Sequence, residues 1–155
     1  MAVQAPHIEL ALLYREDYAA WARETAARLR ARDFDGLDTE SAAEELEALA
    51  GKDERELLRR LTILIQHLLK WEYQPEYRTK SWLATIRVQR KDIGKLLRDS
   101  PSLRRRIGLN LEEVFAEGRE EAIFEAGLVL ERIPVGVLYT EDQILSPDWL
   151  PGTSA

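Results

Sequence analysis

The sequence has no cysteine, only two histidines and no apolar run long enough to form a membrane-spanning helix. Without cysteine, disulfides, thiolate metal ligands and cysteine nucleophiles are excluded, and the chain fits a reducing compartment. A spanning helix needs about 20 consecutive apolar residues, and residues 1–13 lack the basic and apolar segments of a signal peptide. We therefore predict a cytoplasmic protein that does not contact a membrane.

Motifs of the common catalytic and cofactor-binding sites are absent as well. The chain has no phosphate loop, no dinucleotide fingerprint, no serine-nucleophile elbow and no His-Glu-x-x-His helix. The Glu-x-x-His step that di-metal helical bundles use occurs nowhere. We predict that the protein needs no cofactor and no metal, and we favour a binding module over an enzyme.

What the sequence does have is an uneven charge distribution. The net charge is −6, yet residues 59–106 hold 13 basic and 4 acidic residues, and the segments on either side are acidic. The basic segment either packs beside acidic helices of the same bundle or meets an anionic partner. The seven bases of the predicted binding face are Lys70, Arg78, Lys80, Arg87, Lys91, Lys95 and Arg98.

Apolar residues recur at three- and four-residue steps along most of the chain, which predicts helices. We expect five helices, over about 15–32, 38–50, 53–73, 79–99 and 101–128. Either Gly51 ends the second helix, or the second and third helices form one long helix that runs through Gly51. We expect a shared core of eight residues: Trp21, Leu46, Leu61, Leu64, Leu68, Trp82, Ile86 and Ile93.

The predicted fold class is therefore all-α, an antiparallel bundle of four to five helices with an irregular C-terminal tail. We predict a single domain over residues 1–155. Residues 1–12 form a loose N-terminal arm in this prediction, and residues 134–155 form a mostly irregular tail that packs on the bundle. Thr140 is expected to cap a short helical turn that runs to Leu145.

Polar and aromatic residues are densest between positions 67 and 91. Helical spacing puts His67, Lys70, Trp71 and Gln74 on one helix face. Such a group is either a pocket or nucleic-acid contact, in which aromatic rings stack on bases, or a hydrogen-bond network that sets helix register. The candidate binding residues are His67, Lys70, Trp71, Gln74, Arg78, Trp82, Arg87, Gln89 and Arg90.

Two glutamates earlier in the chain are candidates for a structural polar network. Glu44 and Glu47 lie on a segment otherwise rich in alanine and leucine, so at least one is expected to lean inward. An inward carboxylate needs a cation. We predict a pair with Arg87 or Arg90.

Arg60 and His67 are seven positions apart and differ by only about 20° around a helix. This spacing resembles the Arg-(four to six residues)-His motif of the HEPN ribonucleases, which cut RNA without metal. That resemblance implies that the histidine is an acid or base and that the arginine stabilises phosphate charge. The polar residue usual after the arginine is replaced here by Leu61.

Motifs along nearly the whole chain, from about position 14 to 151, resemble the bacterial family called "domain of unknown function 29". The resemblance implies an all-helical, stand-alone domain and no established reaction. The motifs are Asp17-Tyr18-Ala19-Ala20-Trp21, Phe34-Asp35-Gly36-Leu37-Asp38, Ala43-Glu44-Glu45-Leu46-Glu47-Ala48-Leu49, His67-Leu68-Leu69-Lys70-Trp71, Tyr73-Gln74-Pro75, Ser81-Trp82, Thr85-Ile86, Gln89-Arg90, Leu96-Leu97-Arg98-Asp99-Ser100-Pro101-Ser102-Leu103 and Leu145-Ser146-Pro147-Asp148-Trp149-Leu150-Pro151.

Two functional hypotheses from different classes remain. The first is a non-enzymatic helical binding module that uses the basic 59–106 hairpin to meet a protein or another anionic partner, including nucleic acid. The second is a metal-independent ribonuclease of toxin type that uses Arg60 and His67. A histidine buried and satisfied inside the bundle would count against the ribonuclease. The sequence leaves a homo-oligomer open.

Overall fold

The structure is a computed structural model that describes residues 6–127 and 132–152, with side chains from Leu10 onward. This part of the chain contains helices and no strand, so the all-α prediction is confirmed. Short 3-10 helices, Pro75–Tyr77 and Pro101–Leu103, precede α4 and α5. The α-helices are α1 Pro6–Glu16, α2 Tyr18–Ala31, α3 Thr39–Tyr73, α4 Lys80–Asp99, α5 Arg104–Ala126 and α6 Glu141–Leu145.

The chain divides into two compact units, residues 1–52 and 53–155. Helix α3 contributes its first part to one unit and its second part to the other. The single domain expected over residues 1–155 stays a prediction, and each unit is a packed structure in its own right.

In the first unit, α1 and α2 form a hairpin packed around an aromatic cluster. Trp21 is buried, and the Tyr14 and Tyr18 rings lie 4.7 and 5.5 Å from it, centroid to centroid. The hydroxyls of Tyr14 and Tyr18 donate to the two carboxylate oxygens of Glu45 on α3, at 2.6 and 2.7 Å. These bonds lower the pKa of Glu45 and raise that of Tyr14 to about 12.

The expected loose arm over residues 1–12 is wrong from Pro6 onward, because α1 begins there. Proline suits the first position of a helix, where its missing N–H is not needed. Leu10 on this helix is fully buried, which the sequence of residues 1–12 did not indicate. Residues 1–5 lie outside the described part of the chain.

Helix α3 runs without a break through Gly51, which settles the alternative that the sequence left open. Asp38 caps its start by accepting from the backbone N and side-chain Oγ of Ser41. A glycine inside a helix costs only about 1 kcal/mol relative to alanine, and strong helix formers surround this one. The core assignment of Leu46 is wrong, since its residue exposure is 69%.

In the second unit, the end of α3, α4 and α5 form an up-down-up bundle. Arg60 contacts Asp92 whereas Lys70 contacts Trp82, so α4 runs antiparallel to α3. Helix α5 runs parallel to α3, with Thr62 bonded to Glu117 near its middle and Gln74 to Ala126 at its end. Of the predicted core residues in this unit, Trp82 is half-buried, and the fully buried ones are Leu61, Leu64, Leu68, Ile86 and Ile93.

Helices α3 and α5 lie close together at Gly118. A Cβ atom there would lie 2.9 Å from Ile65 Cγ2 and 3.2 Å from the Thr62 carbonyl oxygen. Real Cβ atoms essentially never come as close as the first distance. Gly118 therefore has a packing role, and no larger side chain fits without movement of α3 or α5.

The tail from Pro134 to Gly152 is irregular except for α6, as predicted. Thr140 and Gln143 form a reciprocal capping box at the start of α6. Tyr139 packs between Phe115 and Trp149 and donates to Glu72. These contacts attach the tail to the bundle of the second unit.

Candidate functional site

Three of the predicted binding residues, Lys70, Gln74 and Trp82, line one cleft of about 650 Å³ at the end of the bundle. The predicted binding residues do not share one site, because the others lie elsewhere in the unit. The remaining residues of this cleft are Tyr73, Glu76, Tyr77, Glu125, Ala126, Gly127 and Arg132.

Lys70 is at the centre of this cleft and is only 3% exposed. Its Nζ lies 3.1 Å from a carboxylate oxygen of Glu125 and 4.5 Å from the centroid of the Trp82 ring. Gln66 donates to the same carboxylate, and Gln74 donates to the Ala126 carbonyl at 2.9 Å. These contacts join α3 to α4 and α5, which supports a role in helix register for this part of the predicted network.

Trp71 and Arg78 form a separate pair. The Arg78 guanidinium lies 4.8 Å from the Trp71 ring centroid, and its Nε donates to the Trp71 carbonyl at 2.8 Å. The Trp71 Nε1 is buried and has no hydrogen-bond partner in the described part of the chain. Arg78 therefore stacks on a ring that the sequence offered for base stacking, and it shields that ring from a ligand.

The structure does not bring Arg60 and His67 together as a catalytic pair. Arg60 contacts Glu56 at 2.8 Å and Asp92 at 2.7 Å, and it donates to the Gln89 side chain at 3.1 Å. His67 Nδ1 lies 2.8 Å from the Ile63 carbonyl oxygen, so Nδ1 carries the proton and donates. Burial lowers the pKa of His67, which keeps the ring neutral near pH 7.

Arg90 is buried and bonds to the tail. Its Nε donates to the Ile144 carbonyl at 2.8 Å, and its terminal nitrogens reach the carbonyls of Gln143 and Pro147 at 3.3 and 3.5 Å. Burial lowers the pKa of Arg90, and Asp148 partly offsets this effect.

Glu44 and Glu47 are exposed, so the expectation that one of them leans inward is wrong. Helix α3 buries its Glu45 side instead, against Tyr14 and Tyr18. A pair between these glutamates and Arg87 or Arg90 would join the two units, and it stays a prediction.

The exposed side of α4 carries a row of five cations, which we call the α4 basic face: Lys80, Arg87, Lys91, Lys95 and Arg98. At about 100° per residue they fall within an arc of about 80°, and the row is about 27 Å long. None of them has a carboxylate within 4 Å in the described part of the chain. Val88, 50% exposed, and the exposed Ala84 lie beside this row.

The seven-base face predicted from the sequence therefore contains two residues that do not belong to it. Lys70 is buried and Arg78 is stacked on Trp71. The other five occur at three- and four-residue steps or their sums within one helix, and that spacing marks them as one face.

An acidic face on α5 was not identified from the sequence as a surface. Six glutamates on α5 are exposed, and one of them, Glu125, contacts Lys70. Phe124 beside the other five is 89% exposed. The available signal is the acidic excess after position 106, which in the sequence indicated only acidic helices that pack beside the basic segment. We call this surface the α5 acidic face: Glu112, Glu113, Glu117, Glu120 and Glu121.

Two kinds of site are absent from residues 6–127 and 132–152. No group of three or more histidine, cysteine, aspartate or glutamate side chains is arranged to hold a metal ion there. No described helix combines the length and apolar character that a membrane crossing requires.

The family model described as "Domain of unknown function DUF29" matches residues 13–150, which is most of the chain. The chain belongs to the DUF29 family. Comparisons with curated proteins and with solved structures found no match. The description of the DUF29 family names no activity, so any function must be inferred from the surfaces and contacts of this chain.

Proposed function

We propose that this chain is a non-enzymatic binding module and that its α4 basic face binds an acidic helix of a partner protein. The observation that carries the proposal is the row of five exposed cations, none of which has a carboxylate within 4 Å among the described residues. Five other bases of the segment from 59 to 106 have internal partners. Arg60, Lys70, Arg104 and Arg106 contact carboxylates, and Arg90 contacts carbonyl groups.

The spacing of the row favours a helical partner. Arg87, Lys91 and Lys95 are four positions apart, so successive charges are about 6 Å apart along the axis. Acidic side chains at every fourth position of a second helix have the same spacing. Val88 adds an apolar contact that a phosphate backbone would not use.

The aromatic residues support a protein partner over nucleic acid. Binding of single strands combines a basic groove with rings on which bases stack. Trp71 is covered by Arg78, and Trp82 is covered by Lys70.

We expect weak and salt-sensitive binding. Exposed ion pairs contribute only about 0.2–1 kcal/mol each, so five pairs supply a few kcal/mol at most. A dissociation constant of 1 μM corresponds to about 8 kcal/mol. Since a dissociation constant of 1 mM corresponds to about 4 kcal/mol, binding in the millimolar range, lost at high salt, is the expected behaviour for the charges alone.

A direct test compares two triple variants with the same change in charge. Variant R87E/K91E/K95E reverses the α4 basic face, whereas the control R15E/R23E/R30E reverses three exposed arginines of the first unit. The probe is a fluorescent alanine-based helical peptide with glutamate at every fourth position. We expect the wild type and the control to bind it at low salt and the α4 variant to lose binding.

A single-stranded RNA of matched length is the second probe. Tighter binding of this RNA than of the acidic peptide would contradict the protein version of the proposal. Equal binding by all three proteins, or no binding to either probe at millimolar protein and low salt, would refute the role of the α4 basic face. Circular dichroism of each variant checks that the helices remain folded.

The ribonuclease alternative has less support. Its arginine is held by Glu56 and Asp92, and its histidine is directed to a backbone carbonyl. As part of the same proposal, the module works in the bacterial cytoplasm. The absence of cysteine and the family resemblance support that setting.

A further inference from the structure

The second unit exposes two helix faces of opposite charge. On α5, Glu113, Glu117 and Glu121 are exposed and four positions apart, which is the spacing of Arg87, Lys91 and Lys95 on α4. One oxygen of Glu117 accepts from Thr62 of α3 at 3.2 Å, and Glu117 and Glu121 border a groove that α3 also lines. Phe124 follows on the same side of α5, and its ring is almost fully exposed. An acidic helix face with the required spacing is therefore present on the chain itself.

We propose that the partner of the α4 basic face is the α5 acidic face of a second copy of this chain. This inference rests on the proposed function, because it names the acidic helix that the α4 basic face binds. Charge complementarity and equal spacing carry it.

Antiparallel pairing of the two helices gives a consistent register. When Lys91 of one copy faces Glu117 of the other, the flanking charges pair as well. The pairs one turn away on each side are Lys95 with Glu113 and Arg87 with Glu121. Rows of residues four apart on both helices are the ridges of the commonest helix packing class in globular proteins, with axes about 8–10 Å apart.

The same register gives the exposed ring a place to bind. With Lys91 opposite Glu117, Phe124 lies opposite Ala84, next to Val88. Ala84 is small, so it leaves room for an aromatic ring between the flanking cations. Aromatic residues that fill such a position usually carry much of the affinity of an interface, whereas exposed ion pairs mainly provide orientation and specificity.

The two faces are different surfaces, so the contact is heterologous. After pairing, one copy keeps an unused acidic face and the other keeps an unused basic face. Heterologous contacts produce rings when the rotation closes and open chains when it does not. We expect assemblies that grow with protein concentration and dissociate as salt is added.

The test uses complementary charge reversal. Variant R87E/K91E/K95E carries acidic residues on both faces, and variant E113K/E117K/E121K carries basic residues on both. Sedimentation velocity across a concentration series at low salt is the measurement. We expect the wild type to associate, each variant to remain monomeric alone, and an equimolar mixture of the two variants to associate again.

Phe124→Ala supplies a readout that leaves every charge in place. We expect it to weaken wild-type association by about tenfold, the usual order for an aromatic anchor. Phe34→Ala, which removes an exposed ring of the first unit that lies on neither face, is the matched control and should leave association unchanged.

Three outcomes would overturn the inference: a wild type that stays monomeric at every concentration, charge-reversed variants that still self-associate, or a mixture that does not. These results would leave the proposed function standing if the acidic peptide still binds the α4 basic face, and the partner would then be a different protein. Loss of peptide binding together with loss of self-association would refute both.

Discussion

The close approach of α3 and α5 at Gly118 gives a quantitative test of the fold. In Gly118→Ala the new methyl group would lie 2.9 Å from Ile65 Cγ2 and 3.2 Å from both Ile65 Cβ and the Thr62 carbonyl oxygen. Ile65 is fully buried, and its branched side chain has restricted rotamers. The methyl group can therefore be accommodated only if a helix moves.

The expected size follows from two opposing effects. Overpacking a core costs about 1–3 kcal/mol, and alanine in place of a helical glycine gains about 0.5–1 kcal/mol. Gly118→Ala should thus destabilise the second unit by up to about 2.5 kcal/mol. Gly108 is also within α5, but a methyl group added there would meet no atom within 4 Å, so Gly108→Ala should stabilise the unit.

The difference between the two variants isolates the contact, because both gain the same helix propensity. Urea unfolding followed by tryptophan fluorescence measures it, in a Trp21→Phe background that removes the indole of the first unit. The remaining indoles, Trp71, Trp82 and Trp149, then report on residues 53–155. Unfolding followed by far-UV circular dichroism should coincide with unfolding followed by tryptophan fluorescence if both report one transition.

The expected difference in the free energy of unfolding is about 1–3 kcal/mol, with Gly118→Ala the less stable. Equal stability of the two variants would show that α3 and α5 do not approach as closely as described. A more stable Gly118→Ala would contradict the parallel packing of these helices at this point.

Three further predictions concern single side chains. Arg90→Met should destabilise the second unit by about 1.5–3 kcal/mol, because it removes charged hydrogen bonds to the tail. Urea unfolding measures this, with the exposed Arg87→Met as the control. Equal stability of Arg90→Met and Arg87→Met would contradict the prediction. Burial and Glu72 raise the pKa of Tyr139 above its usual 10, so its contribution to stability is present below pH 10 and is lost as pH rises further. Above pH 10 the melting temperature should fall more steeply with pH for wild type than for Tyr139→Phe, and the exposed Tyr77→Phe should resemble wild type. An identical pH dependence of the melting temperature for wild type and Tyr139→Phe would count against the bond to Glu72. The pKa of Glu45 is lowered below its usual 4.5 by Tyr14 and Tyr18, so its contribution is present above that pH and is lost as pH falls. Glu45→Gln should reduce the acid dependence of the first unit, measured by Trp21 fluorescence, whereas Glu44→Gln should not, and an unchanged acid transition in Glu45→Gln would refute this reasoning.

Apolar spacing predicted most helices but not which apolar faces are covered. Leu61, Leu64 and Leu68 belong to a segment whose apolar residues extend well beyond one stripe, which is typical of a surrounded helix. Leu46 belongs to a single stripe with the same spacing, and it is exposed. A stripe shows where a helix is apolar, and only the neighbouring helices decide whether that side is buried.

The candidate site was predictable only where one helix carries all of it. The spacing of Arg87, Lys91 and Lys95 indicates a shared face without knowledge of any other helix. The burial of Lys70 depends on Glu125, which is far away in sequence. Arg90 binds backbone carbonyls, which every residue type has, so no residue in the sequence identified its partners, and a carboxylate was the natural expectation.

The bond between Arg90 and the Ile144 carbonyl joins positions 54 residues apart. At a synthesis rate of about 5–20 residues per second, roughly 3–11 s separate the two positions on the ribosome. Helices and short loops form within microseconds, so the growing chain has time to pair α3 with α4 before residue 144 is made. During those seconds the guanidinium is hydrated, and the apolar surface that Tyr139 and Ile144 later cover faces solvent. Nascent chains of this protein should therefore bind chaperones most strongly just before the tail is synthesised, and release from them should follow the docking of Arg90.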